Sequence, residues 1–153
     1  MSLFKTIEQH NLILYQGYTF TVDVLKKGMF LLVNPRGRII RNESLFDLYY
    51  YLPEQNKNQN FEEMVVGTSA LCSYNNKIVK IDGVDFDLNI FSKFPETKFA
   101  TYKEYYEKRY KVEFYYPDGQ FLVYQIKKDR KTGKTEKIHF PVELLKPTGL
   151  TDQ

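Results

Sequence analysis

The apolar residues of this 153-residue chain come in short runs, each closed within a few positions by glycine, proline, asparagine or aspartate. Runs of that length between such breakers suit strands and short helices. Leu12–Tyr15 and Tyr18–Val22 flank Gln16-Gly17, which predicts two strands and a turn. Gly28–Val33 is a third run, closed by Asn34-Pro35-Arg36-Gly37, and Arg38–Arg41 is too short to assign. Asn42 or Ser44 is placed to cap a helix over Leu45–Leu52 that Pro53 must end. Asn56–Asn60 is a polar loop, and Phe61–Met64 a second short helix. Val65–Tyr74 and Lys77–Ile81 read as strands around an Asn75-Asn76 turn, with a loop over Asp82–Asn89. Thr101 and Glu104 have capping-box spacing and open a helix carrying Tyr102, Tyr105, Tyr106 and Arg109. Val112–Tyr116, Phe121–Ile126 and Ile138–Phe140 complete the strands, with a tight turn at Pro117-Asp118-Gly119 and a loop around Thr132-Gly133. Many short strands with helical insertions imply a mostly β fold with α (α+β): a small barrel or roll carrying an inserted αβ module.

The length fits one domain with a real core. One cysteine, Cys72, allows no disulfide within the chain and points to a reducing compartment, cytoplasmic or nuclear. No apolar stretch approaches the roughly 20 residues of a membrane span. The N-terminal segment lacks the basic and apolar regions of a secretory signal. Formal charge is +3, and its distribution is uneven: Lys127–Lys137 holds six basic and two acidic residues, a local excess of +4. A chain that opens at Met1-Ser2 and stops at Gln153 reads as a piece of a longer protein.

Enzymatic machinery is hard to find. His10 and His139 have no neighbouring Cys or His, so the pattern offers no metal site of the usual kind. Glycine-rich phosphate loops and the G-x-S-x-G pattern are absent. Asp82, Asp85 and Asp87 form the one carboxylate cluster. They read as turn-capping residues of a solvated loop, with Mg²⁺-dependent nuclease chemistry the competing reading. No cofactor and no catalytic residue is expected.

The chain does offer an unusual supply of aromatics, 13 Tyr and 12 Phe with no Trp. Basic residues interleave with them: Tyr74, Lys77 and Lys80; Phe94, Lys98 and Phe99; Tyr105, Arg109 and Tyr110; then the basic loop. Single-stranded nucleic acid is gripped in this way, with bases and sugars on aromatic faces and phosphates on cations and hydroxyls. The competing reading is a tyrosine-rich core with solvated lysines. A second function class stays open, a protein-interaction module that binds peptides through an aromatic surface.

The order of the pieces adds to this. Gly67–Lys77 runs into Ile81–Asp87, Phe94-Pro95 follows, and then Thr101-x-x-Glu104-Tyr105-Tyr106-x-Lys108-Arg109-Tyr110. The chain closes on Pro147-Thr148-Gly149-Leu150-Thr151-Asp152. This resembles the PAZ domain of Argonaute-family proteins, Piwi branch, from about Leu12 to Asp152; Ile40–Asp47 is similar to the segment just before the Piwi PAZ core. The resemblance implies an OB-like or SH3-like barrel with a clamped αβ module, occupying residues 1–153 as one domain. Residues 12–60 would be leading strands and a helix, 61–90 and 111–147 the barrel strands, and 91–110 part of the αβ insertion. It implies a pocket for the 3′ end of a single-stranded small guide RNA, piRNA-like, in RNA silencing. By position, Tyr105 and Tyr110 would hold the last phosphodiester and Arg109 would be a basic neighbour. Phe94 would floor the terminal sugar, Lys77 would contact phosphate, and Ile138 and Phe140 would wall the ribose. Tyr74 and Lys80 join this set. Val79 stands where the family has a phosphate-binding tyrosine, for which Tyr74 is a substitute; Lys80 replaces an arginine and Phe86 a tryptophan. A basic loop longer than in ordinary Argonautes is expected to widen the pocket for a 2′-O-methyl group. Expected partners are the RNA 3′ end and the other domains of a Piwi-type parent, whose slicer site would lie elsewhere; no membrane is expected, and the isolated domain would be monomeric.

Overall fold

The computed structural model describes residues 4–7, 11–118 and 120–148. The fold is mostly β with three α-helices, as the spacing of the apolar runs implies, and the described chain falls into two compact units.

The first unit, up to Asn42, is one antiparallel sheet in the order β1-β2-β3. Its strands are β1 (Phe4–Ile7), β2 (Leu12–Leu25) and β3 (Gly28–Arg41). Here the structure corrects two expected turns. Strand β2 runs straight through Gln16-Gly17, and β3 runs straight through Asn34–Gly37; the chain reverses at Lys26-Lys27 instead. The register explains this, because Gly17 faces Arg36, Gln16 faces Gly37 and Pro35 faces Tyr18. The breakers thus meet one another at one level of the hairpin. Pro35 is tolerated because β3 is an edge strand among the described residues, where a missing N–H need not break a ladder. Gly28 supplies the positive φ, +143°, that the true reversal needs. Ile13 and Ile40 are paired and buried, whereas Phe20, Val22, Phe30 and Leu32 are exposed.

The second unit, Glu43–Thr148, carries the remaining elements. Helix α1 (Leu45–Tyr51) starts at Ser44, whose hydroxyl accepts from Asp47 N while Asp47 Oδ2 accepts from Ser44 N at 2.8 Å. This reciprocal cap satisfies two otherwise orphaned donors. The chain leaves the helix at Leu52, as Pro53 requires. Helix α2 (Lys57–Val65) takes in most of the segment expected as a polar loop, because Asn56 adopts φ +54° and turns the chain into the helix early. Phe61 and Val65, four apart, are its buried stripe.

Six short strands follow: β4 (Ser69–Cys72), β5 (Ile78–Lys80), β6 (Gly83–Asp85), β7 (Leu122–Lys128), β8 (Thr135–Pro141) and β9 (Leu145–Pro147). They form two open three-stranded sheets, β5-β4-β9 and β6-β7-β8, where a closed barrel was expected. Four of the six are only three or four residues long, which is too short for the continuous staggered ladder that closure requires. A single hydrogen bond from Asp82 N, just past β5, to Tyr124 O on β7 links one sheet to the other.

Helix α3 (Tyr102–Tyr110) is capped by Thr101, whose hydroxyl accepts from Glu104 N at 3.2 Å. Glu104 reaches back to Ala100 N rather than to the cap residue itself. The expected strand Val112–Tyr116 is irregular. Its Tyr115 and Tyr116 N–H groups donate to the Glu143 carboxylate, at 2.7 and 3.3 Å, which substitutes for a ladder partner. The tight turn ends at Gly119, and the closing motif runs on from Gly149; both positions lie outside the described residues. One core joins Phe61, Val65, Phe121, Val123 and Leu145. A second joins Ile90, Tyr102, Tyr106, Leu122 and Leu144, and it anchors α3.

Candidate functional site

Helix α3 carries four tyrosines, Tyr102, Tyr105, Tyr106 and Tyr110, and a cavity of about 390 Å³ opens beside them. Tyr102 and Tyr106 lie one turn apart on the buried face; Tyr105 and Tyr110 lie beside them, half-buried. The aromatic rings form a continuous cluster. Phe94 stacks on Tyr105 with centroids 4.4 Å apart and planes 15° from parallel. Tyr74, from the hairpin after β4, meets Tyr110 at 4.4 Å and Tyr106 at 5.4 Å. Tyr105 and Tyr110 stand edge to face, their ring centroids 5.9 Å apart, and the Tyr110 phenol acts electrostatically on Tyr105.

Burial sets the state of these phenols. It raises Tyr74 and Tyr106 well above the ordinary tyrosine value. Tyr105 is pushed up to about 12, first by burial and then by the neighbouring Tyr110 phenol. A buried phenolate would be a charge without its water, so the neutral form wins. The pocket therefore presents neutral O–H groups, which can donate to an anion.

Ile138 and Phe140, on β8, and Val79, on β5, line the cavity as an apolar wall. Between Ile138 and Phe140, His139 makes two contacts: Nε2 to Asp85 Oδ2 at 2.5 Å and Nδ1 to the Tyr102 hydroxyl at 3.3 Å. The sheet register builds this arrangement. Gly83, Tyr124 and His139 lie in one row across β6-β7-β8. Any side chain at Gly83 would strike the Tyr124 ring, its Cβ falling 2.3 Å from the hydroxyl oxygen, so glycine there lets Tyr124 lie flat. Asp85 is two residues along β6 from Gly83, hence on the same face. The Tyr106 hydroxyl donates to His139 O at 2.8 Å and ties α3 to β8.

Lys77, Lys127 and Lys137 also line the cavity, together with Glu96 and Glu136. Lys137 lies over the Tyr124 ring, its Nζ 4.2 Å from the centroid.

Of the residues singled out in the sequence, Tyr74, Lys77, Phe94, Tyr105, Tyr110, Ile138 and Phe140 are brought together around this cavity. Arg109 and Lys80 are not in its lining. Arg109 is exposed on α3, close enough to act electrostatically on Tyr105, and Lys80 faces Asp82 at 3.8 Å. The sequence reading missed Tyr102, Tyr106 and His139 as lining groups. The helical spacing of Tyr102 and Tyr106 was visible, but which face the cavity would take was not; for an isolated histidine there was no signal. The three aspartates do not converge: Asp82 accepts from Ile126 N at 2.8 Å, Asp85 takes His139, and Asp87 is exposed.

Comparison with known proteins places this architecture. The family model for the PAZ domain matches residues 46–153. Protein argonaute-3 of Drosophila melanogaster is 31% identical over 156 residues, covering 97% of this chain and 18% of that protein. The crystal structure of Drosophila Piwi superposes with a TM-score of 0.54 at 21% identity, over 78% of this chain and 16% of that one. The Argonaute protein of Methanocaldcoccus janaschii in complex with guide DNA superposes with a TM-score of 0.50 at 15% identity, over 96% of this chain and 20% of that one. The chain spans 17–18% of the length of the curated relatives it matches. No helix among the described residues is long and apolar enough to cross a membrane. Family model, relatives and fold agree, and the chain belongs to the PAZ domain family of Piwi and Argonaute proteins.

Proposed function

We propose that the aromatic cavity holds the 3′-terminal nucleotides of a single-stranded small guide RNA, without chemistry of its own. The observation that carries this reading is the placement of Tyr105 and Tyr110, edge to face, beside the Phe94–Tyr105 stack, inside one cavity walled by Ile138 and Phe140. Two neutral phenol O–H groups on one helix can both donate to one phosphodiester, and donors to a charged acceptor make the stronger hydrogen bonds. The stacked ring pair offers a flat floor to a sugar or base, and the apolar wall excludes a second charged group from the end. Lys77, Lys127 and Lys137 supply long-range attraction for the backbone. Tyr74 sits where it can add a hydroxyl that Val79 lacks.

The end is recognised by shape: a strand that stops fits, and one that continues does not, whatever its base sequence. A 2′-O-methyl group on the last ribose would lie against Ile138 and Phe140. The test is fluorescence anisotropy on short single-stranded RNAs that differ only at the 3′ terminus. A free or 2′-O-methylated 3′ hydroxyl should bind, and a 3′ phosphate, which brings charge and bulk to the apolar wall, should bind at least about tenfold more weakly. Equal binding of both would refute end recognition, and equal affinity for methylated and unmethylated ends would remove the methyl reading alone.

A further inference from the structure

The His139 contacts reach beyond holding the wall in place. A carboxylate has only acceptors, so the short contact from Asp85 Oδ2 assigns the proton on Nε2. The state of Nδ1 then decides the direction of its 3.3 Å contact with the Tyr102 hydroxyl. With neutral His139, Nδ1 is an acceptor, Tyr102 must donate to it, and the phenol oxygen offers only lone pairs to the cavity. With His139 protonated, Nδ1–H donates to the phenol oxygen, and the Tyr102 O–H is released to donate into the cavity. Burial and the neighbouring Asp85 both raise Tyr102, so it keeps its proton in either state.

We propose that Tyr102 is a specificity-determining residue whose hydrogen-bonding polarity toward the bound end is set by the proton on His139. The proposal rests on the reading of the cavity as a 3′-end site. Its occupant is the 2′ substituent of the terminal ribose, which that reading puts against Ile138 and Phe140, in the same cavity that Tyr102 and His139 line. A 2′ hydroxyl can donate or accept and suits both states. A 2′-O-methyl oxygen can only accept, so it finds a partner in Tyr102 only when His139 is protonated. A 2′-deoxy end engages neither state.

The groups around His139 permit such a switch. Asp85 faces it from β6, Tyr102 and Tyr106 from α3, and Tyr124 from β7 at 5.7 Å between ring centroids. Lys137 lies over the far partner Tyr124, and Lys127 and Glu136 share the cavity. Among these, histidine is the side-chain type that changes charge between about pH 5 and 8.

The experiment measures Kd for RNAs ending in 2′-hydroxyl, 2′-O-methyl and 2′-deoxy ribose from pH 5.5 to 8.5 at constant ionic strength. The His139 ring state is followed in parallel by ¹⁵N NMR of the whole chain. The methyl-to-hydroxyl Kd ratio should rise by about three- to tenfold, the worth of one hydrogen bond, as His139 loses its proton. The ratio should become flat with pH in Tyr102→Phe. This variant keeps the ring packing; His139→Gln is the second variant and should fix the ratio at one value. A ratio that does not follow the histidine titration, or that still follows it in Tyr102→Phe, overturns the proposal. If all three RNAs bind and only the pH dependence is missing, the inference fails and the 3′-end reading stands. If none of them binds, the 3′-end reading itself has failed.

Discussion

Replacing Tyr105 and Tyr110 by phenylalanine tests the division of labour within the pocket. Phenylalanine keeps the rings, so the 4.4 Å Phe94–Tyr105 stack and the 4.4 Å Tyr74–Tyr110 contact survive. Only the hydroxyls go. In the proposed complex each donates to a phosphate oxygen. A hydrogen bond to a charged acceptor contributes about 1.5–3 kcal/mol. Each single variant should therefore lose about 1.5 kcal/mol, roughly tenfold in Kd, and the double variant about 3 kcal/mol, roughly a hundredfold. Anisotropy with an end-labelled RNA reads the affinity, and a thermal melt checks that the fold is retained. A doubly substituted protein that binds within about twofold of wild type would refute the assignment of phosphate contacts to these phenols.

Other expectations concern the frame and the field around the pocket. Phe61 is fully buried and meets Phe121 at 5.1 Å and Tyr49 at 5.4 Å, so Phe61→Ala should cost about 3–5 kcal/mol in urea unfolding; a loss under about 1 kcal/mol would contradict the core assignment. Burial raises Tyr74 and Tyr106, and raises Tyr105 to about 12. A folded value above the unfolded one means stability is complete below about pH 10 and falls as pH rises beyond it. Urea midpoints should thus drop between pH 9 and 11, and constant midpoints would contradict the burial of these phenols. Replacing Lys127 and Lys137 by glutamine should flatten the dependence of log K on log salt by about 0.7 for each lysine that meets a phosphate; an unaltered slope would remove the basic loop from the interface.

The parts of the fold that a single local device controls were legible in the sequence. Ser44 with Asp47, Thr101 with Glu104, Pro53 and the Asn75-Asn76 turn each act within four residues, and the structure has helix starts, a helix end and a turn at those places. Where a distant partner decides, sequence reading erred. Gly17 and Gly37 are turn residues by composition, yet each lies in a strand because the long hairpin register pairs it with a residue of the other strand, Arg36 and Gln16. Tyr115 and Tyr116 have strand character, yet Glu143, 27 or more positions later, takes their N–H groups. Closure of the sheets was equally invisible, since strand length and the cross-sheet bonds decide it.

The pocket followed the same rule. The tyrosines of α3 and the aromatic and basic residues of the hairpin after β4 stood out by type and spacing, and they do converge. Arg109 and Lys80 have the right chemistry but sit on the outer side of their elements. His139 became visible only through Asp85, 54 positions earlier, and Tyr102, 37 positions earlier.

End recognition is tested most directly by competition between one RNA in linear form and the same RNA closed into a circle. The two share base sequence and backbone chemistry, and the circle has no free 3′ end. The linear form should displace a labelled linear probe at a concentration at least about tenfold lower than the circle. Equal displacement by both would mean that the aromatic cavity grips RNA along its length and does not read its end.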